Sequence, residues 1–110
     1  MLKLEDFKAA KKRVDEVRED EVILPTHLIH SDAFSEECGN DVYIKPENLQ
    51  KTGAFKIRGA YNKIMKLDDE AKKKGLIASS AGNHAQGVAY AAKKLGVKAT
   101  ICMPAHTPLI

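Results

Sequence analysis

The segment Leu76–Met103, L-I-A-S-S-A-G-N-H-A-Q-G-V-A-Y-A-A-K-K-L-G-V-K-A-T-I-C-M, decides the fold. Leu76-Ile77-Ala78-Ser79 is a short apolar run that starts directly after Gly75, which reads as a strand. Ser80-Ala81-Gly82 is a turn of small residues. From Asn83 onward Val88, Ala91, Ala92 and Leu95 recur at helical spacing until Gly96 stops them. Ala99 to Met103 is then a second strand, closed by Pro104. Two strands joined through a helix run parallel, with a right-handed crossover. A parallel sheet needs helices on both faces, so the expected class is α/β with three layers. The small residues at 78 to 82 let the backbone approach a ligand closely. The helix beginning near Asn83 points free amides at it, an arrangement suited to phosphate or carboxylate.

Upstream, Lys45–Ala60 reads K-P-E-N-L-Q-K-T-G-A-F-K-I-R-G-A. The preceding Val42-Tyr43-Ile44 is apolar, so residues 42–45 are expected to be a buried strand of the same sheet, ending at Pro46. Thr52-Gly53 offers a cap and a flexible turn. Ile57, Ala60, Tyr61, Ile64 and Met65 then predict a helix over 55–66. Lys56 falls in its first turn, where the positive end of the helix dipole disfavours a cation. With Arg58 also near, the neutral amine is favoured, as an imine-forming lysine requires. The plain alternative is one exposed lysine among many.

Leu4, Phe7, Ala10, Val14 and Val17 mark an amphipathic N-terminal helix with Glu5 and Asp6 in its first turn, ending in Glu19-Asp20-Glu21. Pro25 breaks the chain, and Leu28-Ile29 is a short extended piece. Ser31 caps a short helix that Gly39 closes, and Asp68 caps another that Gly75 closes. His27 and His30 lie three apart, but no third ligand is evident, and no metal is assigned.

The 110 residues leave room for one small domain, burying ~65% of its unfolded surface. A hydrophobic fraction of 44% and a charged fraction of 30% are those of an ordinary globular protein. The net charge of +3 is too small to argue for nucleic acid, and lysines at 72–74 and 93–94 suit helix ends. No apolar run is long enough for a membrane helix, and the N-terminus is charged rather than signal-like. A cytoplasmic location is expected, with Cys38 and Cys102 as free thiols.

The stretch at 45–60 closely resembles the cofactor-lysine segment of the serine/threonine dehydratases. These are pyridoxal-phosphate enzymes of fold-type II, the tryptophan synthase β-like group. S-A-G-N-H-A-Q-G at 80–87 resembles their substrate-carboxylate loop. More loosely, L-P-T-H-L-I-H-S and F-S-E-E-C-G resemble their N-terminus. The resemblance implies that Lys56 is the catalytic residue and holds pyridoxal phosphate covalently, with Phe55 packed near the ring. Asn83 would hydrogen-bond the cofactor's 3-hydroxyl oxygen. Ser80, Ala81, Gly82, Asn83 and His84 would line the substrate carboxylate, and for His84 a packing role is the alternative.

The implied reaction is dehydration of L-threonine or L-serine to a 2-oxo acid and ammonia, in isoleucine biosynthesis or threonine catabolism. Ala54 stands where many relatives carry serine. Ala81 stands where serine racemases carry a second serine that moves a proton, which argues for elimination. Threonine synthases and cysteine synthases are further alternatives, as is a non-catalytic module that binds an anion or a partner. The resemblance also implies an amino-acid substrate and a homo-oligomer, dimer or tetramer. The family's phosphate-binding glycine run and the residue facing the pyridine nitrogen are not found here. The expectation is an N-terminal portion in which residues 1–40 pack on a larger domain and 41–110 carry the lysine and the loop. Such a portion is expected to be inactive by itself.

Overall fold

A computed structural model describes residues 1–18 and 20–108. Helix α1 spans Leu4–Glu16, with Glu5 and Asp6 in its first turn, and is followed by the short strand β1, Ile29–His30. Helix α2, Asp32–Cys38, is capped by Ser31, whose Oγ accepts the Phe34 N–H at 3.4 Å, and ended by left-handed Gly39. Strand β2, Tyr43–Ile44, leads through two 3-10 turns into α3, Lys56–Met65. Helix α4, Asp69–Lys74, is capped by Asp68, which accepts the Ala71 N–H at 2.7 Å. Strand β3 is Leu76–Ser79, helix α5 is Asn83–Lys94, and strand β4 is Ala99–Cys102. Of the expected end of α1, Glu19 lies outside the described residues.

Strands β3 and β4 pair in parallel, Leu76 opposite Ala99 through Ser79 opposite Cys102, as the strand–helix–strand pattern predicts. Their inward side chains, Leu76, Ala78, Ala99 and Ile101, pack on the core. The outward Ile77 is 77% exposed, so the helices of the described residues cover one face of the sheet.

The core is the crossing of α3 and α5. Ile57, Ala60, Tyr61 and Ile64 supply one side, and Val88, Ala91 and Ala92 the other. From α1 and the chain after it, Val14, Val17, Val22 and Ile23 close the cluster. The N-terminal stripe is therefore used only in part: Leu4 and Phe7 remain exposed. Arg13 donates from Nε to Asn62 Oδ1 at 2.7 Å and ties α1 to α3.

The strand expected at 42–45 does not join the parallel sheet. Tyr43–Ile44 pairs antiparallel with Ile29–His30, and both its side chains are exposed rather than buried. The physical reason is that the backbone of Val42 is already committed. Its N–H donates to Ser35 Oγ at 2.9 Å, and its carbonyl accepts the Ser31 N–H at 2.9 Å. Within this small unit His30 engages both ring nitrogens, with Asp32 Oδ1 at 2.9 Å and Ser35 Oγ at 3.2 Å, and packs edge-on against Tyr43. Cys38 and Cys102 are free. Among the described residues no helix is long and apolar enough to cross a membrane.

The core arrangement carries one test. Ile23 is fully buried although it lies in no helix or strand. Ile23→Ala is expected to lower the stability by ~2–5 kcal/mol, read as a reduced urea midpoint.

Candidate active site

Lys56 is the first residue of α3, as its sequence position predicts, but the cap is not the expected one. Thr52 lies outside the helix in a left-handed conformation, φ 71° and ψ 13°, and its buried hydroxyl has no partner among the described residues. That conformation is costly for a β-branched residue, and here it turns the chain immediately before the lysine. Phe55 occupies the position before the helix and provides no side-chain cap. Ala54 is buried, whereas Phe55 and Lys56 are exposed, and the Lys56 Nζ lies 5.1 Å from the centre of the Phe55 ring.

A polar clamp that the motif reading missed holds this loop. Gln50 is buried and pairs with both backbone groups of Leu24, accepting its N–H at 2.9 Å and donating to its carbonyl at 2.6 Å. Glu47 gathers the neighbouring donors: Thr26 Oγ1 at 2.8 Å, Gln50 Nε2 at 3.2 Å and Arg58 Nη1 at 3.3 Å. Arg58 is two residues beyond Lys56, so the clamp joins residues 24–26, the 47–50 turn and the start of α3. The available signal was a Glu and a Gln at i, i+3 in a loop, where burial is unusual unless hydrogen bonds are satisfied.

Burial acts to raise the Glu47 pKa. The Thr26 hydrogen bond, the Arg58 charge, the Gln50 hydrogen bond and the Lys45 charge outweigh it and hold the carboxyl below its ordinary value.

The turn from β3 to α5 places Ser80–Asn83 at the N-terminus of that helix. Ser80 Oγ accepts the N–H groups of Gly82 and Ala85 at 3.3 Å each and so caps the helix from within the turn. Ala81, Gly82, Asn83 and His84 are exposed. An apolar cleft of about 530 Å³ opens between α3, β3 and α5, and its walls include Phe55, Lys56, Ile77, His84 and Val88. The structure thus brings three predicted residues, Phe55, Lys56 and His84, to one cleft. Ser80, Ala81, Gly82 and Asn83 adjoin it through the helix start that carries His84. His27 and His30 take no part.

At Gly87 the two elements come close together. A Cβ on that residue would stand 3.1 Å from the Lys56 carbonyl carbon and 3.2 Å from the Ile57 nitrogen and the Lys56 Cβ. The sequence signal for it was a glycine inside a helix, unfavourable by ~1 kcal/mol against alanine and so in need of a packing reason.

The family model described as "Pyridoxal-phosphate dependent enzyme" matches residues 20–109. The L-threonine ammonia-lyase of Thermotoga maritima is 52% identical over 109 residues, 99% of this chain and 26% of that protein. The chain therefore spans about a quarter of that relative's length. Among solved structures, a serine racemase from Dictyostelium discoideum superimposes with a TM-score of 0.87 at 40% identity, over 97% of this chain and 34% of that one. Threonine deaminase isoform 2 from Solanum lycopersicum superimposes with a TM-score of 0.80 at 36% identity, over 97% and 31%.

The clamp predicts a pH dependence. A carboxyl held below its unfolded value adds stability that is present above that value and lost as pH falls through the folded one. Glu47→Gln is therefore expected to be less stable than the parent protein at pH 7. In urea titrations the gap should close as pH drops below the ordinary glutamate value of 4.5.

Proposed function

Because the chain belongs to the pyridoxal-phosphate dependent enzyme family, we propose that it carries the catalytic lysine and the substrate-carboxylate loop of a threonine/serine dehydratase. The observation that carries this reading is that Lys56 and His84, from two separate motifs, line one cleft. The residues present fit the cofactor. The Lys56 amine has no ion pair among the described residues, an exposed aromatic ring lies beside it, and the cleft is open and largely apolar.

When bound, pyridoxal phosphate supplies an electron sink for the pair released as the substrate Cα–H bond breaks. Lys56 would hold the cofactor covalently, and its amine, when free, would remove the substrate Cα proton. The amides of Ala81, Asn83 and His84 would orient the substrate carboxylate, which fixes the Cα–H bond for that transfer, whereas the Gly82 N–H that the loop motif also implies is taken by Ser80 Oγ. Asn83 would donate to the cofactor's 3-oxygen, and Phe55 would pack beside the ring. Ser80, by capping the loop from within, keeps it in the shape that presents those amides. The β-hydroxyl would leave as water, and hydrolysis of the released enamine, through its imine tautomer, by a second water would give a 2-oxo acid and ammonia.

Residues 1–40 are read as packing on a larger domain, which the exposure of Leu4, Phe7 and Phe34 supports. The protein is read as a cytoplasmic homo-oligomer. By themselves the 110 residues hold no run of glycines for the cofactor phosphate, and are expected to turn over threonine negligibly. The likeness to a serine racemase favours racemisation as a second reading. Against it stands Ala81, which has no proton to transfer.

Two experiments test this function. In the holoenzyme, Lys56→Ala is expected to abolish ammonia release from L-threonine and the borohydride-fixed cofactor adduct. Recovery of the adduct on another lysine would overturn the assignment. With L-serine as substrate, pyruvate is expected to form far faster than D-serine, and comparable rates would favour the racemase.

A further inference from the structure

The contact between Gly87 and Lys56 joins the two motifs through backbone rather than through side chains. Gly87 is buried on α5, four residues and one helical turn after Asn83, so both lie on one face of that helix. What it faces is the peptide unit between Lys56 and Ile57, where α3 begins. A Cβ added at Gly87 would meet this backbone at 3.1 Å, tighter than ordinary packing, and none of the three nearest atoms is the far end of a flexible side chain. Gly59, on the neighbouring turn of α3, has no such neighbour, and an added Cβ there would meet open space. On α3 the close approach thus falls at the Lys56–Ile57 peptide and not at Gly59.

We propose that Gly87 is the positioning residue of Lys56: its missing side chain lets α5 seat on the Lys56 backbone and sets the nucleophile's distance from the loop at Asn83. This rests on the reading of Lys56 as the cofactor lysine. Glycine is among the poorest residues for a helix interior, and nothing about α5 itself calls for one. An alanine would push the start of α3 away by a few tenths of an ångström. Ile57, fully buried just beyond, prevents the helix from yielding freely. The displacement then falls on the Lys56 amine, and proton transfer depends steeply on such placement.

The test compares Gly87→Ala with Val17→Ala, a buried core truncation that lines no part of the cleft. In the holoenzyme, Gly87→Ala is expected to lower kcat for L-threonine on the order of 10- to 100-fold with KM little changed. In the cofactor-free protein, amide hydrogen exchange at Ile57, Arg58 and Gly59 should quicken in the same variant. Val17→Ala should leave both readouts as in the parent, even where its loss of thermal stability is as large. An unchanged kcat in Gly87→Ala overturns the proposal, and so does a Val17→Ala variant that loses kcat equally. A Gly87→Ala protein that no longer folds also overturns it, since Gly87 would then be a determinant of the whole fold. Should Lys56→Ala retain turnover, the reading of Lys56 falls, while the exchange data still report whether Gly87 holds that backbone.

Discussion

The crossing of α3 over α5 is the constraint on which the other elements depend. Helix α5 offers it a face of small residues, Ala85, Gly87, Val88, Ala91 and Ala92, and so can approach closely. Helix α3 answers with larger ones, Ile57, Tyr61 and Ile64. The parallel pair β3–β4 lies against this crossing because the β3–α5–β4 connection returns the chain beside its own start. Val14, Val17, Val22 and Ile23 close the remaining side. Shifting the crossing would therefore move the sheet, the N-terminal segment and the cleft together.

The loop before α3 has no sheet to hold it, and hydrogen bonds do that work instead. The Gln50 amide meets Leu24 as a strand partner would, with one donor and one acceptor, and is fully shielded while doing so. Leaving such a buried group unsatisfied costs ~1–3 kcal/mol, so the pairing specifies one position for the loop. Glu47 then links that loop to Arg58 inside the first turn of α3. The lysine is held on one side by this clamp and on the other by the contact with Gly87, and a strained turn at Thr52 lies between.

Much of this was legible in the sequence, and the reason differs from element to element. The β3–α5–β4 unit could be read because its apolar period and its stops at Gly75 and Gly96 agree. Lys56 at a helix start could be read from the apolar period that follows it, although the cap could not. Tyr43–Ile44 could not, since three apolar residues fit a buried strand and an exposed hairpin edge equally well. Only the side chain of Ser35, on a different element, decides between them. The clamp and the Gly87 contact were hidden because both are pairings across the chain, Leu24 with Gln50 and Lys56 with Gly87. Local pattern carries no information about such partners.

The crossing also explains why chemistry and stability can share so few residues. Both α3 and α5 begin at the cleft, because they touch at Gly87, one turn from the start of α5 and at the very start of α3. Two positive helix ends therefore face the same region, each with first-turn amides that no intrahelical acceptor can satisfy. Such a place complements negative charge better than a neutral group. The buried faces of the helices lie a turn or more away and need not change when the ligand does. The exposed residues at the helix starts, Phe55, Lys56 and Ala81 to His84, carry little of the packing. The lysine's position thus follows from packing beneath it, while its side chain stays exposed at the cleft.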